Sequence, residues 1–545
     1  MSGTDAVDGG GRAREDAPRP GCLFGVGVGP GDPELLTHKA ARAIADADVI
    51  AYPSARHGKS VARRIAAPYV REDHVEVLLQ FPVTTELTSH SGGYDAALHE
   101  FYDEAAAELA THLDAGRDVA ILCEGDPLFY GSYMYFHERL APRYETTVIP
   151  GVTAFSAAAA AAGTPLVKRE DVFVAIPGTL PPEVIEARLA GADAAVVMKL
   201  GRTFPKVREA AARAGVEERA IYVERASSDA ERIAPLAEAG ERVPYMSLVL
   251  VPTAARPGEE AAHVDAARTS AAASAGASAK EPAADAAVGG GAAARRGSLT
   301  VVGLGPAGPE WLTPEAAAEL DAAEHVVGYA PYVARVPERA GQRRHASDNR
   351  VELERAQHAL ALAAGGARVA VVSSGDPGIF AMASAVLEAV EADAALAGVE
   401  VRVVPGLSAM QAAAARVGAP LGHDFAVVSL SDQLKPWEQI EARLDAAGAG
   451  DFALALYNPA SRTRREHLPR VRELLLRHRA PDTPVVVARA VGAPEESITV
   501  TTLGALDLDV VDMRTLLIVG SSTTRVLASA NGGPPRVYTP RRYPA

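Results

Sequence analysis

Short apolar runs alternate along the chain with stretches in which apolar residues return every three or four positions. LFGVGV (23–28), ADVIAYP (47–53) and DVAILCEG (118–125) have the nearly unbroken apolar character of strands buried on both faces. ELLTHKAARAIADA (34–47) between the first two has the spacing of a helix. A further strand ends in Pro150-Gly151 and opens into an Ala-rich helix. Apolar strands alternating with helices predict α/β units around a largely buried sheet. AAVVMKL (194–200) and VPYMSLVL (243–250) add later strands, so two α/β lobes with a cleft between them are expected.

The same order is then written a second time. GVGPGDPELLT (27–37) returns as GLGPAGPEWLT (303–313), CEGDPLFYGS (123–132) as SSGDPGIFAM (373–382), and VIPGVTAFSAAAAAAGTPL (148–166) as VVPGLSAMQAAAARVGAPL (403–421). FALALYN (452–458) and PVVVARAVG (484–492) are later strands of the second copy. Three motifs recurring in order at nearly constant spacing imply a duplicated domain. From about Arg256 to Arg296 the sequence is Ala, Gly, Ser, Pro and Glu with no bulky apolar run, which reads as a flexible tether between two independently folding units. The expected division is a disordered tail at 1–20, a first domain at 21–255, the linker at 256–296, a second domain at 297–530 and a C-terminal tail at 531–545.

At 545 residues the chain exceeds one ordinary core, and its 48% hydrophobic content implies that most of it folds. A net charge of −15 with no long Lys/Arg tract, together with 5% aromatics, argues against nucleic acid as a partner. Cys22 and Cys123 form no CxxC pair, and no His/Cys cluster has ligand spacing, so a reduced cytoplasmic protein without a bound metal is expected. The first residues have no apolar core like that of a signal peptide, and no run approaches the roughly 18 apolar residues that cross a bilayer.

The loops at the strand ends carry the candidate chemistry. Glycines after a strand allow a ligand close to the backbone, and the helix that follows presents free N–H groups. GVGVGPGD (25–32) departs from a dinucleotide fingerprint, because a proline lies inside the turn and ADVIAYPSARHG offers no acidic residue for a ribose. A Gly-Asp-Pro turn alone is more often a helix start than a site. Two copies at strand C-termini, where α/β proteins bind ligands, favour a site. Such a cleft has a floor of backbone groups, which suits a neutral or zwitterionic cofactor. There is no Walker lysine, and Ser373 and Ser374 lack a nucleophile context. Of the scattered histidines, His423 in GHDF is the one candidate for proton transfer, with turn structure the equal alternative.

These motifs together resemble the tetrapyrrole methylase family, whose members transfer a methyl group from S-adenosylmethionine to uroporphyrinogen-derived rings. The CEGDPLFYGSYMYF run (123–136), MKLGRTF (198–204) and YMSLVLV (245–251) make the first copy similar to members that methylate precorrin-2 at C20. VVGYAPYV (326–333), GAPLGHDFAVVSLSDQLKPWEQIEARL (418–444), DFALALYNPASRTRREHL (451–468) and VDMRTLLIVGSSTTR (511–525) make the second similar to members that methylate precorrin-3B at C17 and contract the ring. The resemblance implies two tandem methylase domains, each of two α/β lobes around a cofactor cleft, and one S-adenosylmethionine per domain.

Carried over residue by residue, the resemblance places Gly29, Pro30, Gly125, Asp126, Pro127, Pro150, Gly151, Thr153 and Ala154 at the first cofactor site, with Met198, Met246 and Leu248 on its adenine side. Gly305, Pro306, Gly375, Asp376, Pro377, Pro405, Gly406, Ser408 and Ala409 are the second set, with Ala455, Leu456, Tyr457 and Ala488 opposite. Asp32 has no counterpart in the second copy, where Gly308 stands. Ring contraction moves protons, so His423 and Asp424 are candidate acid or base residues of the second half. The substrates are polycarboxylates, for which Lys168, Arg169, Lys199, Arg202 and Lys206 in the first half and Lys435, Arg462, Arg464 and Arg465 in the second are candidate contacts, solvated surface charge being the alternative. Metal-free or cobalt-loaded rings, an RNA or protein substrate on the same fold, and a non-catalytic scaffold remain open at this point. So does the choice between a homodimer and pairing of the halves within one chain, and transient contact with neighbouring pathway enzymes is plausible.

Overall fold

The computed structural model of the chain describes residues 19–55, 58–82, 90, 92–167, 171–253, 297–348, 351–396, 398–433, 435–461, 465–527 and 535–540. The joint at 256–296 and the candidate contacts Lys168, Arg169, Arg462 and Arg464 lie outside these residues.

Each half begins with a five-stranded sheet. In the first half β1 (Leu23–Gly27), β2 (Val49–Ser54), β3 (Val75–Gln80), β4 (Val119–Cys123) and β5 (Thr146–Ile149) lie parallel in the order 3-2-4-1-5. β11 (Ser298–Gly303), β12 (His325–Tyr329), β13 (Arg343–Ser347), β14 (Arg368–Ser373) and β15 (Glu400–Val404) repeat that order in the second half. In both halves the strand before the Gly-Asp-Pro loop lies beside the strand before the first Gly/Pro loop. Short strands with wholly buried runs, such as VAILC, suit a parallel sheet covered on both faces. Thr37 and Thr313 cap the helices that follow, accepting from Ala40 N–H and Ala316 N–H.

The second lobes do not form separate sheets. In the first half β6 (Phe173–Pro177), β7 (Ala194–Met198), β8 (Ile221–Glu224), β9 (Arg232–Pro235) and β10 (Ser247–Val251) are arranged 6-7-10-8-9. In the second half, after the two-residue β16 (Gly418–Ala419), β17 (Phe425–Ser429), β18 (Ala453–Tyr457), β19 (Pro484–Arg489), β20 (Ser497–Thr502) and β21 (Thr515–Val519) are arranged 17-18-21-19-20. β6 pairs antiparallel with β17, making one ten-stranded sheet through the whole molecule. The register reads the same from either half: Phe425 faces Ala175, Ala426 faces Val174 and Val427 faces Phe173.

The expectation of two independently folding units is therefore corrected. An unpaired β6 or β17 would expose a row of backbone donors and acceptors beside apolar side chains, and pairing the two satisfies both. Three of the hydrophobic clusters draw on both halves: Val174 and Leu189 pack with Val428 and Leu444, Phe129 and Phe173 with Phe425 and Met410, and Tyr133 and Val148 with Ala415 and Ala419. Phe129 and Phe425 meet edge to face at 4.8 Å between ring centroids. Pairing of the halves within one chain is the observed arrangement.

The C-terminal tail is corrected in part. β23 (Arg536–Tyr538) pairs with β16 and with β22 (Arg525–Leu527). Val537 is buried, and Arg536 donates to Thr146 of the first half. The short apolar Val537 fills a gap beside Gly418, where a Cβ would collide with the Val537 carbonyl.

Candidate functional site

In each half three loops meet backbone to backbone at the strand ends. Gly125 N–H donates to the Gly29 carbonyl at 2.8 Å, and Gly375 N–H donates to the Gly305 carbonyl at 2.9 Å. All four glycines have positive φ, between 64° and 79°, which glycine adopts without penalty. Gly151 and Gly406 close the third side. A Cβ on Gly151 would collide with the Gly125 carbonyl, and one on Gly406 with that of Gly375. A Cβ on Gly125 meets nothing closer than 3.9 Å, so each cradle is tight behind and open in front.

The aspartates of the two Gly-Asp-Pro loops lock this arrangement. Asp126 accepts from Leu128 N–H at 2.9 Å and Gly151 N–H at 3.1 Å, while Asp376 accepts from Gly378 N–H at 2.8 Å and Gly406 N–H at 3.2 Å. Both are buried. Burial pushes each carboxyl up to about 6 against the pull of these donors. Their oxygens are engaged by the main chain, so they shape the loops rather than face open solvent. Thr153 and Ser408 cap the helices Ala154–Ala161 and Ala409–Val417, accepting from Ser156 N–H and Gln411 N–H. Each helix thus starts at its cradle, with its N-terminus toward the loops.

The first loops are held differently in the two halves. Asp32 accepts from Glu34 N–H at 2.8 Å, and its own N–H donates to Ser227 Oγ in the second lobe. In the second half Arg335 does this work, donating to the carbonyls of Leu304, Gly305 and Ala307 and to Ser374 Oγ. Burial pulls its guanidinium down to about 10. Glu124, matching Ser374, is half-buried, and desolvation pushes its carboxyl up to about 7 with Arg64 opposing. Sequence reasoning passed over both Arg335 and Glu124.

Three pairs of non-glycine residues at matching positions have positive φ: Tyr130 and Phe380, Lys199 and Asn458, Arg225 and Ala490. They lie after the Gly-Asp-Pro loops and at the ends of β7, β18, β8 and β19. Strain repeated twice at strand ends marks a site. Lys199 Nζ lies 5.0 Å from the Tyr130 ring centroid, and Phe380 packs on Tyr457, whose hydroxyl accepts from Met410 N–H at 3.1 Å. Burial pushes the Tyr457 phenol up to about 12.

The remaining candidates divide. Met198 and Met246 are half-buried at the second-lobe wall, whereas Leu248, Ala455, Leu456 and Ala488 are buried in the sheet. Arg202 and Arg465 are exposed. Lys206 donates to the Thr179 and Leu180 carbonyls, and Lys435 is buried near the Asp171 carboxyl of the first half. His423 and Asp424 sit at the seam rather than at a cradle. Asp424 pairs with Arg188 of the first half, and His423 Nδ1 is 3.8 Å from the same carboxylate. Arg188 belongs to IEARL (185–189), which recurs at 440–444, and there Arg443 reaches back to Asp193 and Asp171. Among the described residues, no group of His, Cys, Asp and Glu could hold a metal ion, and no helix is long and apolar enough to cross a membrane.

Comparison with known proteins agrees with the duplication. The tetrapyrrole (corrin/porphyrin) methylases match residues 22–240 and again 298–507, and the chain belongs to that family. It is 51% identical over 529 residues to the cobalamin biosynthesis protein CobIJ of Mycobacterium bovis, covering 96% of each chain. A precorrin-2 C(20)-methyltransferase of a Sinorhizobium species is 48% identical over 233 residues, covering 43% of this chain and 95% of its own. A precorrin-3B C(17)-methyltransferase, also from Sinorhizobium, is 50% identical over 248 residues, covering 45% and 97%.

Proposed function

We propose that the chain is a bifunctional S-adenosylmethionine-dependent methyltransferase of corrin-ring synthesis. Its first half methylates C20 of precorrin-2 to give precorrin-3A. Its second half methylates C17 of precorrin-3B, with ring contraction, to give precorrin-4. The observation that carries this reading is the cradle itself, built twice with the same glycines, the same buried aspartate and the same capped helix. Relatives that each match under half of the chain and are named for these two activities support the division of labour.

The residues fit S-adenosylmethionine. Gly125 and Gly375 leave room for a ligand in front of the loops. One cofactor is assigned to each half. When bound, it supplies a methyl group already activated by the sulfonium. The chain then has to hold two reactants in line, which needs positioning more than a strong base. Asp126 and Asp376 act as positioning residues, fixing the Pro-Gly loops against the Gly-Asp-Pro loops. Lys199 and Arg202 retain the role of carboxylate contacts in the first half, and Arg465 in the second. Lys206 and Lys435, engaged elsewhere, lose it. Asp424 is assigned to the seam, because its ion pair with Arg188 fills the place a proton-transfer partner would take.

The test is anaerobic incubation of the full chain with S-adenosylmethionine and metal-free precorrin-2, followed by mass spectrometry, with the cobalt-loaded ring in parallel. One added methyl on the metal-free ring is expected, with a further methyl appearing only when precorrin-3B is supplied. Methylation of the cobalt form alone would move both steps to cobalt-loaded rings. No methylation of either would overturn the reading.

A further inference from the structure

The Pro-Gly loop of the first site receives a donor from the second half. The Gln411 side chain donates to the Gly151 carbonyl of the first half at 2.8 Å, and it helps hold the neighbouring Asp126 carboxyl down against the effect of burial. Its Oε1 accepts from Ser408 N–H at 3.0 Å and Ser408 Oγ at 2.9 Å in its own half. Ser156, at the matching position of the first half, keeps its hydroxyl within its own half, 2.9 Å from Thr153 Oγ1. Gln411 and Ser156 are both buried, and each stands three residues after the cap of its helix. A single amide therefore spans from the cap beside one cradle to the Pro-Gly loop of the other. The antiparallel joint of β6 and β17 brings the two helices into reach.

We propose that the first methyl-transfer site is completed by the other half of the chain, with Gln411 as its positioning residue. The proposal rests on the reading of the cradles as S-adenosylmethionine sites. A buried carboxylate that loses a donor is harder to ionise, and the loop N–H groups it holds are released. The titratable groups beside Asp126 are the Cys123 thiol and, next to Gly125 in the chain, Glu124. The group beside Asp376 is the Tyr457 phenol. Burial keeps the thiol and the phenol neutral around pH 7, and Glu124 titrates in parent and variants alike.

The test uses the full chain with Gln411→Met, close to isosteric. Both reactions are followed against S-adenosylmethionine concentration and pH. Q411M is expected to raise the KM for S-adenosylmethionine in precorrin-2 methylation about tenfold, as for a lost buried hydrogen bond. It should also move the acid limb of that reaction to higher pH. An unchanged precorrin-2 reaction, or an effect on the precorrin-3B reaction alone, overturns the proposal. Should Q411M lose both reactions along with its cooperative melting, Gln411→Asn, which keeps the amide but shortens its reach, decides in its place. Failure of the unmodified chain to methylate either ring would instead refute the underlying functional reading, so the two failures are distinct.

Discussion

At Gly151 and Gly406 the backbones of two loops touch where any other residue would place a Cβ. G151A is expected to push the Pro-Gly loop off the Gly125 carbonyl and reduce precorrin-2 methylation by about 100-fold, the usual cost of an ångström of misplacement. G406A should fall hardest on the precorrin-3B reaction, and steady-state assays of each variant with both substrates check this. Glu124 gives a pH prediction. Its folded value of about 7 lies above that of an exposed glutamate, so folding takes up a proton in the interval between them. The penalty for its buried charge is complete above pH 7 and disappears as the pH falls toward the ordinary carboxylate range. E124Q should therefore be more stable than the parent by about 1–3 kcal/mol at pH 8, the gap closing toward acid pH in urea unfolding. A gap of the same size at both ends would show that the carboxyl is not desolvated. Glycines and aspartates of the cradle were legible in the sequence because they recur. Gln411 was not, although PGVTAFSA and PGLSAMQA set Ser156 and Gln411 at the same distance after Pro-Gly. A string shows that a side chain lies three residues past a cap, not what it meets across a seam.

His423 and Asp424 are candidates in the sequence because ring contraction needs proton transfer, and in the fold the pair stands at the seam. β17 is an interior strand, and Asp424 at its start meets Arg188 from the helix Pro182–Ala190. The recurrence of IEARL makes the crossing reciprocal, with Arg443 on Asp193 and Asp171. Arg188 also lies 4.8 Å over the Phe452 ring of the second half. R188A leaves the buried Asp424 charge without its arginine and is expected to cost about 3–5 kcal/mol in chemical unfolding. R443A, at a more exposed pair, should cost less. Equal and small effects would show that these pairs do not hold the seam. Strands such as Leu23–Gly27, Val49–Ser54 and Val119–Cys123 were readable from apolar spacing alone. The short strand Arg536–Tyr538 was not, since Val537 is its single fully buried apolar side chain and Gly418–Ala419, one of its partners, lies far away in the chain.

On the scale of the whole molecule, duplication was evident in the sequence, but its consequence was not. Repeated motifs say that two similar domains exist. Whether their edges pair with each other depends on the apolar faces of β6 and β17, which look like any other buried strands. With those edges joined and both cores shared, neither half is expected to be stable by itself at the seam. Residues 1–255 and 297–545 expressed together as separate chains should co-purify as a one-to-one complex, and sedimentation measures its composition. Two species that never associate would contradict the continuous sheet. If each cradle of this one body holds a cofactor, equilibrium dialysis of radiolabelled S-adenosylmethionine against the full chain should give two equivalents bound per chain, falling to one in G406A. A single equivalent in the unmodified chain, or none, would refute that assignment.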